Sequence, residues 1–184
     1  MEHPKRRKQN MNCRLVRCPL FVCLVGILIP AAFAQDNPSV TGQLNDAKPI
    51  VATIKKEATE LVSYTQTSGL SWKTHLAVLD RIKADVNKLQ ENMRGLQSHR
   101  TIASPWQQDA IDRVTALAND LATNMNNAME QLNKSKSRPL APPYPEYLKL
   151  NAQIANDLAD EINATIDKGQ AKAKEDALQK QFPQ

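Results

Sequence analysis

Cysteine is confined to the first part of this 184-residue sequence, as Cys13, Cys18 and Cys23. Without a thiol, residues 35–184 can form no disulfide, no thiolate zinc or iron–sulfur site and no cysteine nucleophile. They also lack the Cys-x-x-Cys-His motif that attaches haem covalently. A fold built from these residues must therefore be stabilised by its own hydrophobic core.

Glycine and aromatic residues are also scarce, at five glycines and 4% aromatics in the whole chain. So few glycines leave little loop in which an active site could form, and the sequence has no Gly-rich phosphate loop. The sequence contains no Gly-x-Ser-x-Gly, His-Glu-x-x-His or Glu-x-x-His motif. These motifs are the common signatures of serine hydrolases, zinc hydrolases and di-iron bundles, respectively. Too few aromatics remain for a base-stacking platform. We expect neither enzymatic activity nor a cofactor.

The first 34 residues have the pattern of a secretory signal peptide. Six basic residues precede an apolar run, Leu20 to Ile29, whose length is about half of what a membrane span needs. Ala32 and Ala34 are the small residues that signal peptidase requires before a cut at Gln35. The sequence therefore predicts a cleaved leader over residues 1–34 and a protein that is secreted or periplasmic. Membrane contact is expected only through this leader during export.

Removing the leader removes the excess of positive charge. The chain carries 24 Lys and Arg against 19 Asp and Glu, a formal charge of +5. The leader holds six of the bases and one of the acids, so 18 of each remain and the formal charge becomes zero. A neutral chain without a basic face is not expected to bind nucleic acid.

Hydrophobic periodicity predicts an all-α fold. Apolar residues recur at steps of three and four in four segments, which places them on one face of each helix. The short link after the second helix should make it antiparallel to the third. We therefore predict an antiparallel four-helix bundle over residues 46–168. The predicted helices span residues 47–67, 71–98, 105–134 and 146–168.

The third segment is the most completely specified. Ser104 is a good N-cap, Pro105 suits the first helical turn, and Gln107 completes a capping box. A helix of this length extends about 45 Å, so partner helices should cover its apolar stripe. The stripe consists of Ile111, Val114, Ala118, Leu121, Met125, Ala128 and Leu132.

The other three segments have stripes of the same kind. In the second helix two heptad series run side by side, and His75 is the polar residue within them. In the fourth helix most steps are of four residues, so the stripe turns slowly around the helix. The expected core residues are Val51, Ile54, Ala58 and Leu61 in the first helix; Trp72, His75, Leu79, Ile82, Val86, Leu89, Met93 and Leu96 in the second; and Tyr147, Leu150, Ile154, Leu158, Ile162 and Ile166 in the fourth.

Two segments flanking the predicted bundle lack a clear stripe. Residues 35–45 are polar and contain proline and glycine, and they are predicted to form a flexible arm. Asp46 and Pro49 would then lie at the start of the first helix. Residues 169–184 are charged and thinly apolar, and they are predicted to form a fraying helical tail.

A proline-rich connector separates the third and fourth helices. Residues 135–145 contain four prolines, a composition that favours an extended polyproline II conformation. Such a composition most often forms a stiff connector between helices. Lys136, Pro139 and Pro142 also match the basic-x-x-Pro-x-x-Pro ligand pattern of SH3-type domains. The candidate partner-binding residues in this connector are Arg138, Pro139, Pro142, Pro143 and Tyr144.

Three functions are compatible with these features. The first is a non-catalytic interaction or structural module of the cell envelope or the extracellular space, which binds an unidentified protein partner through a helix face or the connector. The second is a carrier of a small ligand such as b-type haem, with His75 and either Met125 or Met129 as ligands. The third is a lipid-surface-binding amphipathic bundle, which net neutrality disfavours. We expect the first, with His75 partly packed at the end of the bundle and one ring nitrogen in water.

Overall fold

A computed structural model describes residues 36–67 and 69–181 of the chain. These residues form four α-helices and one 3-10 turn, with no β-strand among them, so the prediction of an all-α fold is confirmed. The predicted leader and its cleavage site at Ala32, Ala34 and Gln35 lie outside the described residues. The helices are α1 (Pro38–Tyr64), α2 (Trp72–His99), α3 (Pro105–Lys134) and α4 (Tyr144–Gln181), and the 3-10 turn spans Arg100–Ile102.

The four helices pack around one hydrophobic core. Both α1 and α3 pack against α2 and α4. Every residue predicted for the stripes of α1 and α3 is buried, and so are those predicted for α2 apart from Trp72, which is partly buried. The periodicity therefore identifies the inward face of these three helices correctly.

The prediction of a flexible arm over residues 35–45 is wrong from Pro38 onward. Helix α1 begins at Pro38, and the side chain of the N-cap Asn37 accepts a backbone N–H at 3.0 Å. Proline costs little in the first turn, where its missing N–H would have no helical partner. Val40, Leu44 and Ala47 are buried and extend the stripe of α1 by about three turns before Val51. Their burial stabilises this stretch as helix despite its polar composition.

Asp46 and Pro49 consequently lie inside α1 and not at its start. Pro49 removes one helical hydrogen bond, the one that the carbonyl group of Asn45 would accept. Both Asn45 and Pro49 are exposed, so water can bind that carbonyl group instead. After α1 ends, Gly69 adopts a φ of +86°, a conformation that favours glycine.

Helix α4 begins at Tyr144, two residues before the predicted start, and a different set of residues is buried in its first turns. Tyr144 and Leu148 are buried, whereas Leu150 is 43% exposed and Tyr147 is only partly buried. The prediction that Leu150 belongs to the core is therefore wrong, whereas Tyr147 packs against the core without being fully buried.

A polar residue in the stripe of α4 explains this error. Asn151 is buried between Leu148 and Ile154, and its Oδ1 accepts a hydrogen bond from the Asn124 side chain of α3 at 2.9 Å. The same Asn124 amide donates to the backbone carbonyl of Tyr147 at 2.8 Å. Because an asparagine occupies a buried position of the stripe, apolar periodicity alone does not show which residues of α4 face the core.

The last part of α4 continues as helix to Gln181. Over residues 170–181 every side chain is exposed apart from that of Lys172, which is partly buried. A short exposed helix gains little from packing and is marginally stable in water by itself. The helical character predicted for residues 169–184 is thus present as far as Gln181, and its fraying stays a prediction.

Candidate functional site

The described parts of the α1–α2 loop (residues 65–67 and 69–71) and the α3–α4 connector (residues 135–143) lie side by side, and we call this region the loop end. They border a cleft of about 570 Å³. Its lining is mainly apolar, and among the lining residues Arg138 alone is charged. The lining residues are Thr67, Gly69, Leu70, Arg138, Pro139, Leu140, Ala141 and Pro142.

The connector does not adopt the predicted polyproline II conformation. The backbone N–H groups of Arg138, Ala141 and Tyr144 each donate to the carbonyl group three residues earlier, at 2.8, 3.0 and 3.1 Å. A polyproline II helix has no such internal hydrogen bonds. The conformational prediction is therefore wrong, and the prolines are not presented in the extended form that SH3-type domains bind.

The connector residues predicted to bind a partner differ in exposure. Arg138, Pro142 and Pro143 are exposed, and Pro139 is partly buried in the wall of the cleft. Tyr144 has no exposed surface and belongs to the hydrophobic core. Its prediction as a partner-binding residue is wrong, because the first turn of α4 directs its side chain inward.

Three basic residues lie in or next to the connector, and Arg138 among them lines the cleft. Lys134, Lys136 and Arg138 alternate with two serines. The ammonium group of Lys136 lies 4.7 Å from the centroid of the Trp72 ring, a cation–π contact that joins the connector to the start of α2. Lys134 pairs with Glu130, one turn earlier on α3. Arg138 is exposed and makes no ion pair with the described residues.

His75 lies one turn into α2, between Tyr64 of α1 and Tyr144 of α4. Its Nδ1 is 3.2 Å from the Tyr144 hydroxyl oxygen, and the tautomer of the ring decides which atom donates. The ring centroids of His75 and Tyr144 are 5.6 Å apart and those of His75 and Tyr64 are 5.8 Å apart, both edge to face. His75 is fully buried, so the expectation of a nitrogen in water is wrong.

Burial determines the ionisation of this cluster. It lowers the pKa of His75 and raises the pKa of Tyr144, so both side chains are neutral near pH 7. The Tyr64 hydroxyl donates to Glu60 at 2.7 Å, and this hydrogen bond raises the pKa of Tyr64. The Nε2 atom of His75 has no hydrogen-bond partner among the described residues. An unpaired buried nitrogen typically costs about 1–3 kcal/mol.

The two methionines proposed as haem ligands lie in other surroundings. Met125 is buried, and its sulfur accepts a long hydrogen bond of 3.7 Å from the Asn151 side chain. Met129 is partly buried against the core. Within the described part of the chain, the hydrogen bond and ring contacts of His75 go to tyrosines. A histidine–methionine ligand pair stays a prediction that these contacts do not support.

A polar network joins the starts of α1 and α3, and the sequence does not predict it. The Oδ1 atom of Asp36 accepts hydrogen bonds from the Ser104 hydroxyl and the Trp106 indole N–H, both at 2.6 Å. The fully buried Gln107 side chain accepts from the Asn37 N–H at 2.8 Å and donates to the Asn37 carbonyl at 3.0 Å. The one local signal of this network in the sequence was Gln107, a glutamine in the first turn of a predicted helix.

A groove of about 560 Å³ lies between the start of α1 and the last turns of α4. Short side chains line much of it, including those of Thr41, Ala173 and Ala177. Its charged residues, Asp36, Asp176 and Lys180, are of both signs. Because this mixture favours no particular charge in a partner, the loop end is the better candidate for selective binding.

Comparisons with models of protein families, with curated proteins and with solved structures find no match to this chain. Among the described residues, no group of three or more His, Cys, Asp or Glu side chains is placed to hold a metal ion. None of the described helices is both long enough and apolar enough to span a membrane.

Proposed function

We propose that this protein is an exported, non-catalytic interaction module that binds a protein partner in the cell envelope or the extracellular space. The observation that carries the proposal is the cleft at the loop end, whose mainly apolar lining includes the exposed residue Arg138. An apolar cleft with a few placed polar groups is the usual form of a binding site, and protein interfaces likewise combine an apolar centre with a polar rim.

The charge of the connector indicates the chemistry of the partner. Three bases lie within the five residues 134–138, and no acid lies among them. The exposed guanidinium group of Arg138 offers planar donors that match a carboxylate. We therefore propose that the partner segment carries Asp or Glu residues next to one or two apolar side chains. Charge complementarity of this kind contributes mainly to specificity and association rate.

An antiparallel order of the helices is part of the proposal, because it brings both loops to one end. The side-chain contacts between neighbouring helices support it, since a later residue on one helix meets an earlier residue on the next. Between α1 and α2 these contacts are Gln43–Asn92, Glu57–Arg81 and Tyr64–His75. Between α3 and α4 they are Trp106–Lys168, Arg113–Glu161 and Asn124–Asn151.

Export is the second part of the proposal, and we expect the exported protein to begin at Gln35. The basis is the short apolar run followed by Ala32 and Ala34, which suits signal peptidase. Intact-mass measurement of protein recovered from the medium or the periplasm checks the cleavage site. A mass that retains Leu20 to Ile29 would indicate an anchored protein and contradict this prediction.

The partner proposal is tested by site-specific photo-crosslinking in cells that export the protein. We expect a photoreactive residue at Pro142, which is exposed at the cleft, to capture a partner. Mass spectrometry should place the cross-link in a segment that contains acidic residues. Arg138→Glu should reduce the cross-linked fraction by about tenfold or more, because it replaces attraction with repulsion.

Matched controls use exposed positions away from the cleft. A photoreactive residue at Gln153, exposed on α4, should capture far less of the partner. Lys174→Glu makes a similar charge change on the exposed end of α4 and should leave capture from Pro142 unchanged. Equal capture from both positions, a captured segment without acidic residues, or no effect of Arg138→Glu would contradict the proposal.

A further inference from the structure

A buried ionisable group that three helices share lies next to the loop end. His75 of α2 has no exposed surface and meets one tyrosine from α1 and one from α4, edge to face. Tyr64 is the last residue of α1 and Tyr144 is the first residue of α4. The chain therefore leaves or enters a helix at each side of this imidazole. We propose that His75 is an acid-sensitive switch, whose neutral ring holds the loop end closed and whose protonation opens it.

The surroundings of His75 provide little compensation for a positive charge. The carboxylate of Glu60 already accepts the Tyr64 hydroxyl group, and Glu130 is paired with Lys134. Glu146 is exposed. The titratable groups that the adjoining elements carry at this end are Glu60 and Tyr64 on α1, Lys73 on α2, Glu130 and Lys134 on α3, Lys136 and Arg138 in the connector, and Tyr144, Glu146 and Tyr147 on α4.

Protonation would also change the hydrogen bonding of the ring. Both nitrogens of an imidazolium donate, so Tyr144 would have to accept from Nδ1 and a second acceptor would be needed at Nε2. Among the described residues no hydrogen-bond partner lies at Nε2. Opening of the loop end would give that N–H access to water.

The direction of the pH effect follows from linkage. Burial lowers the pKa of His75 in the folded protein, whereas an exposed histidine titrates near about 6.5. Between those two values the open state binds more protons than the closed state, so stability is lost as pH falls. Above about pH 6.5 the imidazole is neutral in both states and contributes no pH dependence. This inference does not depend on the identity of the proposed partner.

Hydrogen exchange on the full exported chain tests the switch, with rates corrected for the intrinsic effect of pH. Between pH 7.5 and pH 5.0 we expect protection in residues 72–78 and 144–148 to fall by about tenfold or more, because the open state binds a proton that the closed state disfavours. Residues 107–115, at the start of α3, should retain their protection over the same range.

His75→Phe keeps an aromatic ring at this position but cannot be protonated, so its protection should not change between the two pH values. His99→Gln removes the other histidine of the described residues. Its hydrogen-exchange protection should fall between the two pH values as it does in the original chain. If circular dichroism shows that His75→Phe is unfolded at pH 7.5, His75→Gln, which keeps a hydrogen-bonding group, replaces it. An equal loss of protection with and without His75, a uniform loss along the chain, or no loss at all would overturn the proposal.

Discussion

Leu121→Ala is expected to lower the free energy of unfolding by about 2–5 kcal/mol. Leu121 lies halfway along α3 and has no exposed surface. Helices α2 and α4 both pack against α3, so the cavity left by the missing side chain cannot close without moving a neighbouring helix. Urea denaturation followed by circular dichroism measures the change.

The matched control is Lys83→Ala, at an exposed position on α2. We expect this substitution to change the free energy of unfolding by less than about 0.5 kcal/mol, as surface changes usually do. Similar denaturation midpoints for the two variants would mean that Leu121 is not part of the core.

Gln107→Ala is expected to lower the free energy of unfolding by about 2–4 kcal/mol, although the residue is polar. Its side chain is fully buried and pairs with both backbone groups of Asn37. It also accepts the Ser104 N–H at 3.2 Å, the reach-back bond of the predicted capping box. Alanine would leave these backbone groups without partners and would weaken the attachment of the start of α1 to α3.

Thermal or urea unfolding measures the loss, and hydrogen exchange should show faster exchange in the first turns of α1. Gln153→Ala is the control, because Gln153 is exposed on α4. That variant should stay within about 0.5 kcal/mol of the original chain. Equal stabilities for the two alanine variants would show that the Gln107 hydrogen bonds contribute little to stability.

Sequence patterns predict the elements whose signals are local. Helix α3 begins at Pro105 and ends at Lys134, as predicted, since both its capping box and its stripe lie within the helix itself. Helix α2 likewise follows its Ser71 cap, whose hydroxyl accepts the Thr74 N–H at 3.3 Å. Capping and periodicity depend on residues three or four apart, so no knowledge of the neighbouring helices is needed.

Local signals mislead at the starts of α1 and α4. Pro38 and the polar residues after it suggest an arm, yet Val40 and Leu44 are buried against the other helices. At α4 the buried Asn151 interrupts the apolar pattern because its partner, Asn124, lies on α3. Packing against distant residues determines where these helices begin and which of their residues are buried. A pattern of neighbouring residues in the sequence does not reveal those contacts.

Sequence patterns establish that the described part of the chain is mainly helical, which faces of α1, α2 and α3 are buried, and that His75 belongs to a buried stripe. Only the packing of the helices against one another determines what each buried polar group meets. His75 pairs with Tyr144, 69 positions away, and Asp36 bonds to Trp106, 70 positions away. The packing also determines that the connector forms turns beside the α1–α2 loop and borders a cleft with it. Such contacts depend on how far each helix is rotated and shifted against its neighbours, and periodicity within one helix does not contain that information.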